Sequence, residues 1–313
     1  MTRKGPRCLL AASMLLLAAC GRGEGRVQFL SIGTAGTGGI YYPLGGAIAS
    51  RLSVADSMRQ YTAEVSGGSV ENINRLAAGQ MDLGIALAVS AYQAQRGEGD
   101  FAQAIPGLRA VAPLYPNLTH ILVPADAPMR AVADLRGRRV SVGSPGSGTE
   151  QLARDVLEGH GLTYDDIQPM YLSFTESSAA LRDGAIDAAI FSVGYPAAAV
   201  LEAATTGAIR LLPIDAETLG RMLDEHPYYA PGVIPAGAYP GVDAEVPTLV
   251  VNNWLVGMES LDGGVVELVL TILKDDRASL EQVHAMARQI DLARLEAPPI
   301  PLHPAAEAWL AAQ

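Results

Sequence analysis

Apolar residues fall in short runs separated by Gly/Ser/Thr turns along most of this chain, and the runs alternate between strand-like and helix-like spacing. Residues 27–32 read as a strand, 33–39 as a turn, and the spacing of Tyr42, Leu44, Ile48 and Leu52 predicts a helix. A second strand over 61–65 runs into Ser66-Gly67-Gly68-Ser69 and a helix that stops at Ala78-Gly79; a buried strand over 81–89 follows. The same order returns about 105 residues later, as a strand over 139–142, a turn over 143–149 and a helix over 150–158. A strand over 170–172, a turn over 173–176 and a helix over 177–182 complete it. The helix exits superpose as Leu76-x-x-Gly79-x-x-Asp82-x-x-Ile85 on Leu181-x-x-Gly184-x-x-Asp187-x-x-Ile190. Gly-x-x-Asp is a short match that chance also produces, so repeat and coincidence both stay open at this point.

Two similarly built α/β lobes around mostly parallel strands are the expectation. The extended runs over 120–124 and 248–256 bracket the second lobe as candidate crossovers. Lobe I then comprises 27–119 and 255–313, and lobe II 120–254. Such a pair of lobes can close about a ligand by hinge motion. Residues 227–247 read as a Pro/Gly-rich excursion and 295–304 as a surface strap.

Composition narrows the class. Of 313 residues, 49% are hydrophobic and 18% charged, which excludes a disordered chain. The formal charge of −11 argues against nucleic-acid binding, which needs clustered cations. The N-terminus reads as an export signal over 1–19, with Arg3, Lys4 and Arg7 ahead of an apolar run too short to span a bilayer. Leu17-Ala18-Ala19-Cys20 resembles a bacterial lipobox, with Cys20 as the lipidated residue and 21–26 as a tether. An ordinary cleaved signal is the alternative. Cleavage leaves Cys20 as the one cysteine, so neither a disulfide, a thiol nucleophile nor a cysteine metal site is expected in the body.

Each Gly/Ser/Thr turn lies at the carboxyl end of a strand and opens a helix, where free N–H groups favour an anion. Hydroxyls of Thr34, Thr37, Ser66, Ser69, Ser144, Ser147 and Thr149 add donors. Two readings of these serines stay open. Ser147 with Glu150, and Ser173 with Glu176, also match the capping box, in which the serine serves its own helix. Residues 143–148 have P-loop glycine spacing, but Thr149 stands where the lysine belongs, and Tyr41 fills the third glycine position of a dinucleotide fingerprint. The five histidines have no metal-ligand spacing and read as surface or capping residues. No nucleophile is paired with a base, so an enzyme is not expected, and neither a cofactor nor a metal is called for.

Residues 36–45 (Gly-Thr-Gly-Gly-Ile-Tyr-Tyr-Pro-Leu-Gly), Gly68-Ser69-Val70-Glu71-Asn72, residues 143–149 and Ile234-Pro235-Ala236-Gly237-Ala238-Tyr239-Pro240-Gly241 resemble the TAXI family, solute receptors of TRAP transporters. The resemblance runs from about Gln28 to Leu273. It implies a type II periplasmic-binding-protein fold that captures a small organic anion or amino acid, glutamate-like or a dicarboxylate, and passes it to TRAP membrane subunits. A periplasmic sensor partner of a membrane kinase is the alternative on the same fold. Carried over by motif, the pocket would involve Thr37, Gly38, Gly39, Tyr41 and Tyr42 in the first turn. The second turn contributes Ser66, Gly67, Gly68, Ser69 and Asn72, and the turn of the second lobe Ser144, Gly146, Ser147, Gly148 and Thr149. Ser192, Gly194 and Tyr195 sit at the matching edge. Tyr41, Tyr42 and Phe191 read equally as core residues. Ala238 stands where many relatives have threonine, which puts a ligand role there in doubt. No arginine falls inside a turn, so neutral donors and aromatic burial by Tyr41, Tyr42 and Tyr195 would have to hold the anion.

Overall fold

The computed structural model describes residues 27–313; the expected signal, the lipid site at Cys20 and the tether lie outside the described residues. The first unit is β1 (Gln28–Gly33), α1 (Tyr41–Ala55), β2 (Arg59–Glu64), α2 (Ser69–Ala77), β3 (Leu83–Leu87) and α3 (Ala88–Arg96). The long strand β4 (Leu108–Pro124) leads into β5 (Arg139–Ser141), α4 (Gly148–Gly159), β6 (Gln168–Met170), α5 (Phe174–Arg182) and β7 (Ala188–Val193). Then come α6 (Ala198–Thr206), β8 (Ile209–Leu211), α7 (Ala216–Glu225), β9 (Tyr229–Ile234) and the second long strand, β10 (Val246–Met258). Helices α8 (Gly263–Asp275), α9 (Arg277–Val283) and α10 (Pro304–Ala311) close the chain.

All strands join one sheet, with the central path β2-β1-β3-β10-β4-β7-β5-β6; β8 pairs with β4 and β9 with β10. β1 is parallel to β2 and β3, and β5 is parallel to β6 and β7. The two parallel groups are joined through the antiparallel β4–β10 pair at the middle. This is the periplasmic-binding-protein-like α/β fold that the sequence led one to expect.

The repeated helix exit has one structural job in both places. Gly79 and Gly184 each take φ of +67°, the left-handed conformation that ends a helix without a Cβ clash. Three residues on, Asp82 Oδ2 accepts the Ser31 amide at 2.8 Å, and Asp187 Oδ2 accepts the Arg139 amide at 2.8 Å. Each aspartate therefore ties the start of its own β-strand to the first strand of its unit.

Several expected boundaries move. Ala88 and Val89 are apolar enough to continue β3 but open α3 instead. β6 ends at Met170, and α5 begins at Phe174 because Ser173 caps it. The excursion before the return strand holds β9, paired antiparallel with β10. The strap over 295–304 is not superficial: Leu295, Ile300 and Leu302 are buried, and the Ala110 amide donates to Pro301 O at 3.0 Å. His120 is a core residue, not a surface one. Its Nδ1 meets Leu118 O and its Nε2 meets the Tyr239 hydroxyl at 3.0 Å, and burial pushes its pKa down to about 4.

Candidate functional site

The carboxyl ends of β1, β3, β5 and β7 converge on one cavity of about 410 Å³. α1, α2, α4 and α5 all begin at its wall, so several helix N-termini, with first-turn amides that have no intrahelical acceptor, face the same space. Of the residues expected from sequence, Thr37, Gly38, Gly39, Tyr41, Gly67, Gly68, Ser69, Ser144, Ser147, Gly148, Thr149 and Ser192 line it.

The remaining six do not. Tyr42 points outward and is 39% exposed. The Ser66 hydroxyl is spent on Thr34 O at 2.9 Å and Asn72 Oδ1 at 2.7 Å, and Asn72 is fully buried with its amide on Thr34 O and Ile85 O. Both brace the first turn from behind. Gly146 turns its carbonyl, not its amide, toward α2. Gly194 lies against Ile40 and Met286, where a Cβ would come within 2.8 Å of each. Tyr195 packs on the core beside Pro196 and leaves the cavity edge to Val193.

The turns differ in what they offer. At α2 the amides of Val70 and Glu71 donate to Gly146 O at 3.1 and 3.0 Å, so a carbonyl of the other unit already sits on that helix. Gly67 is pressed against the same loop: a Cβ there would stand 2.5 Å from Pro145 O. The two units therefore touch across the cavity mouth. At α4, Ser147 Oγ accepts the Glu150 amide at 3.1 Å, but the reciprocal half of the capping box is missing. Glu150 bonds Arg154 at 2.6 Å and Tyr164 at 2.8 Å instead, and burial raises its pKa. At α5 the box is complete, with Glu176 Oε2 accepting the Ser173 amide at 2.8 Å.

Below the turns lies a polar floor that the sequence did not single out. Asn253 accepts from the Tyr41 hydroxyl and donates to Tyr115 O at 2.7 Å and Asn117 Oδ1 at 2.8 Å; Asn117 in turn donates to Ser192 O at 2.8 Å. The local cause is visible in Pro113-Leu114-Tyr115-Pro116-Asn117. The two prolines have no N–H for the ladder, and the β4–β10 register shifts at Asn253. Two prolines inside an apolar run, flanking Leu114 and Tyr115 and followed by Asn117, were the available signal. Phe174, Leu87, Val65 and Val193 supply apolar wall, and Phe174 stacks on buried Phe191 with centroids 4.6 Å apart. Phe191 is thus core, while the aromatic faces on the cavity are Tyr41, Tyr115 and Phe174. Among the described residues no Arg, Lys or His lines it, and the charged residue there is Glu176, occupied with Ser173. Among the described residues no cluster of His, Cys, Asp or Glu could hold a metal ion, and no helix is long and apolar enough to cross a membrane.

The sequence profile of the NMT1-like family matches residues 32–311. The chain belongs to the NMT1-like family. This corrects the resemblance to the TAXI receptors of TRAP transporters: the family matched is a different one, and a curated relative points away from them. That relative, a protein of Escherichia coli (strain K12) named as an aliphatic sulfonates-binding protein, is 32% identical over 140 residues. The match covers 45% of this chain and 41% of the relative, so it spans under half of the relative's length. Solved structures agree on the fold. An alkanesulfonate-binding protein, SsuA, from Xanthomonas axonopodis pv. citri bound to MOPS has a TM-score of 0.51 at 21% identity, covering 90% of this chain and 83% of that one. The PhnD1 protein of Prochlorococcus marinus in complex with methylphosphonate has a TM-score of 0.56 at 13% identity, covering 84% and 91%.

Proposed function

We propose that this NMT1-like protein is an extracytoplasmic solute-binding receptor that holds a small organic oxyanion, a sulfonate first of all, between two lobes and hands it to a membrane transporter. The observation that carries this reading is the cavity where four helices begin, walled by both parallel units and free of a nucleophile–base pair. The lobes would divide as 27–119 with 255–313 and 120–254, with β4 and β10 as the hinge strands. Export by the signal over 1–19, and anchoring at Cys20 where the lipobox-like run ends, belong to the same reading.

The binding energetics fit a small solute. A neutral donor contributes on the order of 1.5–3 kcal/mol toward a charged acceptor. Four such donors would roughly offset the ~4–15 kcal/mol cost of association, so micromolar affinity also needs the apolar wall. Phe174, Leu87, Val65 and Val193 would cover the alkyl part of the ligand, while first-turn amides of α1, α4 and α5, with Thr37, Ser69, Ser144 and Thr149, would face its oxygens.

The test is a calorimetric titration and thermal-shift panel of C2–C4 alkanesulfonates, alkylphosphonates and carboxylates. A member present at 100 times its Kd should stabilise the fold by about 2.7 kcal/mol. A panel without any shift, on protein shown to be ligand-free, would remove the receptor reading.

A further inference from the structure

One residue of the cavity lining carries a buried polar atom that no described residue satisfies. Tyr115 is fully buried in the middle of β4 and lines the cavity, yet its hydroxyl has no hydrogen-bond partner among the described residues. Its neighbours are in the opposite condition. The Tyr41 hydroxyl is committed to Asn253; both Asn253 amide protons go to Tyr115 O and Asn117 Oδ1, and Asn117 donates to Ser192. Of the buried side-chain atoms without a hydrogen-bond partner among the described residues, on Tyr115, Thr119, His160 and Arg210, the Tyr115 oxygen is the one that belongs to a cavity-lining residue. A polar group buried in this way is normally satisfied, and an exception calls for a physical reason.

We propose that the Tyr115 hydroxyl is the ligand's deepest contact and the residue that selects the head group: it donates to an oxygen of the solute. The inference rests on the receptor reading above and deepens it. The direction of the bond follows from what surrounds it. Helices α1, α4 and α5 present their N-terminal ends to the same space, and the carboxylate on the cavity wall, Glu176, is held by Ser173, so an acceptor is favoured there over an ammonium group. Burial also raises the Tyr115 pKa, so the phenol keeps the proton it donates. Asn253 and Asn117 act as positioning residues: by gripping the Tyr115 carbonyl and bridging β10 to β7, they fix the strand segment that carries the phenol.

Tyr115→Phe isolates the hydroxyl, because the ring still fills its place. The two readouts should move in opposite directions. The ligand-free variant should melt at a higher urea concentration than wild type, since it no longer buries an unpartnered oxygen. Its affinity for whichever alkanesulfonate, phosphonate or carboxylate binds wild type best should fall about tenfold or more, equivalent to about 1.4 kcal/mol or more. A lower urea midpoint for the ligand-free variant would mean that the hydroxyl already has a structural partner and would overturn the proposal. So would equal affinity of the two proteins. Failure of wild type to bind any of the probes is a different result: it removes the receptor reading, and the urea midpoint still decides whether the hydroxyl is unsatisfied.

Discussion

The turn that opens α2 and the turn that opens α4 are both rich in Gly and Ser and meet from two similar units, yet the structure uses them differently. At α2 the anion position is taken by Gly146 O, a carbonyl from the facing turn. At α4 Ser147 serves the third helical amide, and Gly148 and Thr149 remain on the cavity wall. Both turns border the cavity, but two first-turn amides of α2 are already accepted by the facing turn, whereas Gly148 and Thr149 open α4 on the cavity wall. Equal composition therefore does not mean equal function. A helix N-terminus becomes a binding site only where the protein has not supplied the acceptor itself.

The largest expected effect comes from breaking the contact at α2. Gly67 has no unusual φ, so its reason for being glycine is space: any Cβ would collide with the Pro145 carbonyl, a backbone atom with little room to yield. Gly67→Val should keep both units folded, with an unchanged far-UV spectrum, while the turns can no longer meet. If the closed form falls to about one per cent of molecules, apparent affinity drops about 100-fold. Scattering should give a larger radius of gyration than for wild type in the presence of ligand. Wild-type affinity in Gly67→Val would mean that the α2 contact has no part in binding. Gly146 is a poorer place for this test: its φ of +73° strains any side chain before ligand enters the question.

The open turn is probed by charge. Thr149 lies on the cavity wall in the first turn of α4 and is almost fully buried. Thr149→Asp would place a carboxylate beside a bound oxyanion; two like charges ~5 Å apart at an effective dielectric of about 20 repel by about 3 kcal/mol. Thr149→Asn controls for shape and burial. We expect the Asp variant to bind an anionic solute at least ~10-fold more weakly than the Asn variant, by calorimetry at pH 7. Equal binding would mean that the α4 turn does not face the charge.

The two turns could be found in the sequence but not told apart. Helix exits at Gly79 and Gly184, strand starts and the serine caps follow from local rules, since a left-handed glycine or a capping serine needs only its immediate neighbours. The cavity floor follows from long-range pairing. Asn253 and Tyr115 are 138 positions apart, and their meeting depends on a register shift in β10 opposite two prolines in β4. The same limit explains Tyr42 and Tyr195. Each is adjacent in sequence to a lining residue or close to one, and rotation about the helix or the chain beyond β7 turns it away. His120 reads from sequence as a surface or capping residue for a related reason: its partner Tyr239 lies 119 positions away.

The smallest effect separates the serine caps of α4 and α5 by pH. Both helices have a serine followed three residues later by a glutamate, but the glutamates respond in opposite directions. Glu176 accepts the Ser173 hydroxyl and amide, and these bonds hold its pKa below the usual 4.5. A carboxyl depressed on folding adds stability that is complete above the unfolded value and is lost as pH falls through the folded one. Glu150 is raised by burial, against the opposing pull of Tyr164 and Arg154, so its contribution has the other sign: a cost present at neutral pH that is relieved on acidification. Urea melts between pH 6 and 3.5 should therefore show Glu176→Gln losing part of the acid-side fall in stability. Its exposure to solvent limits this to a few tenths of a kcal/mol. Glu150→Gln should make the same fall steeper, because the group that offsets it is gone. If Glu176→Gln keeps the wild-type slope, the capping box seen at Ser173 contributes nothing measurable to α5, and the contrast between a closed and a half-closed cap loses its energetic content.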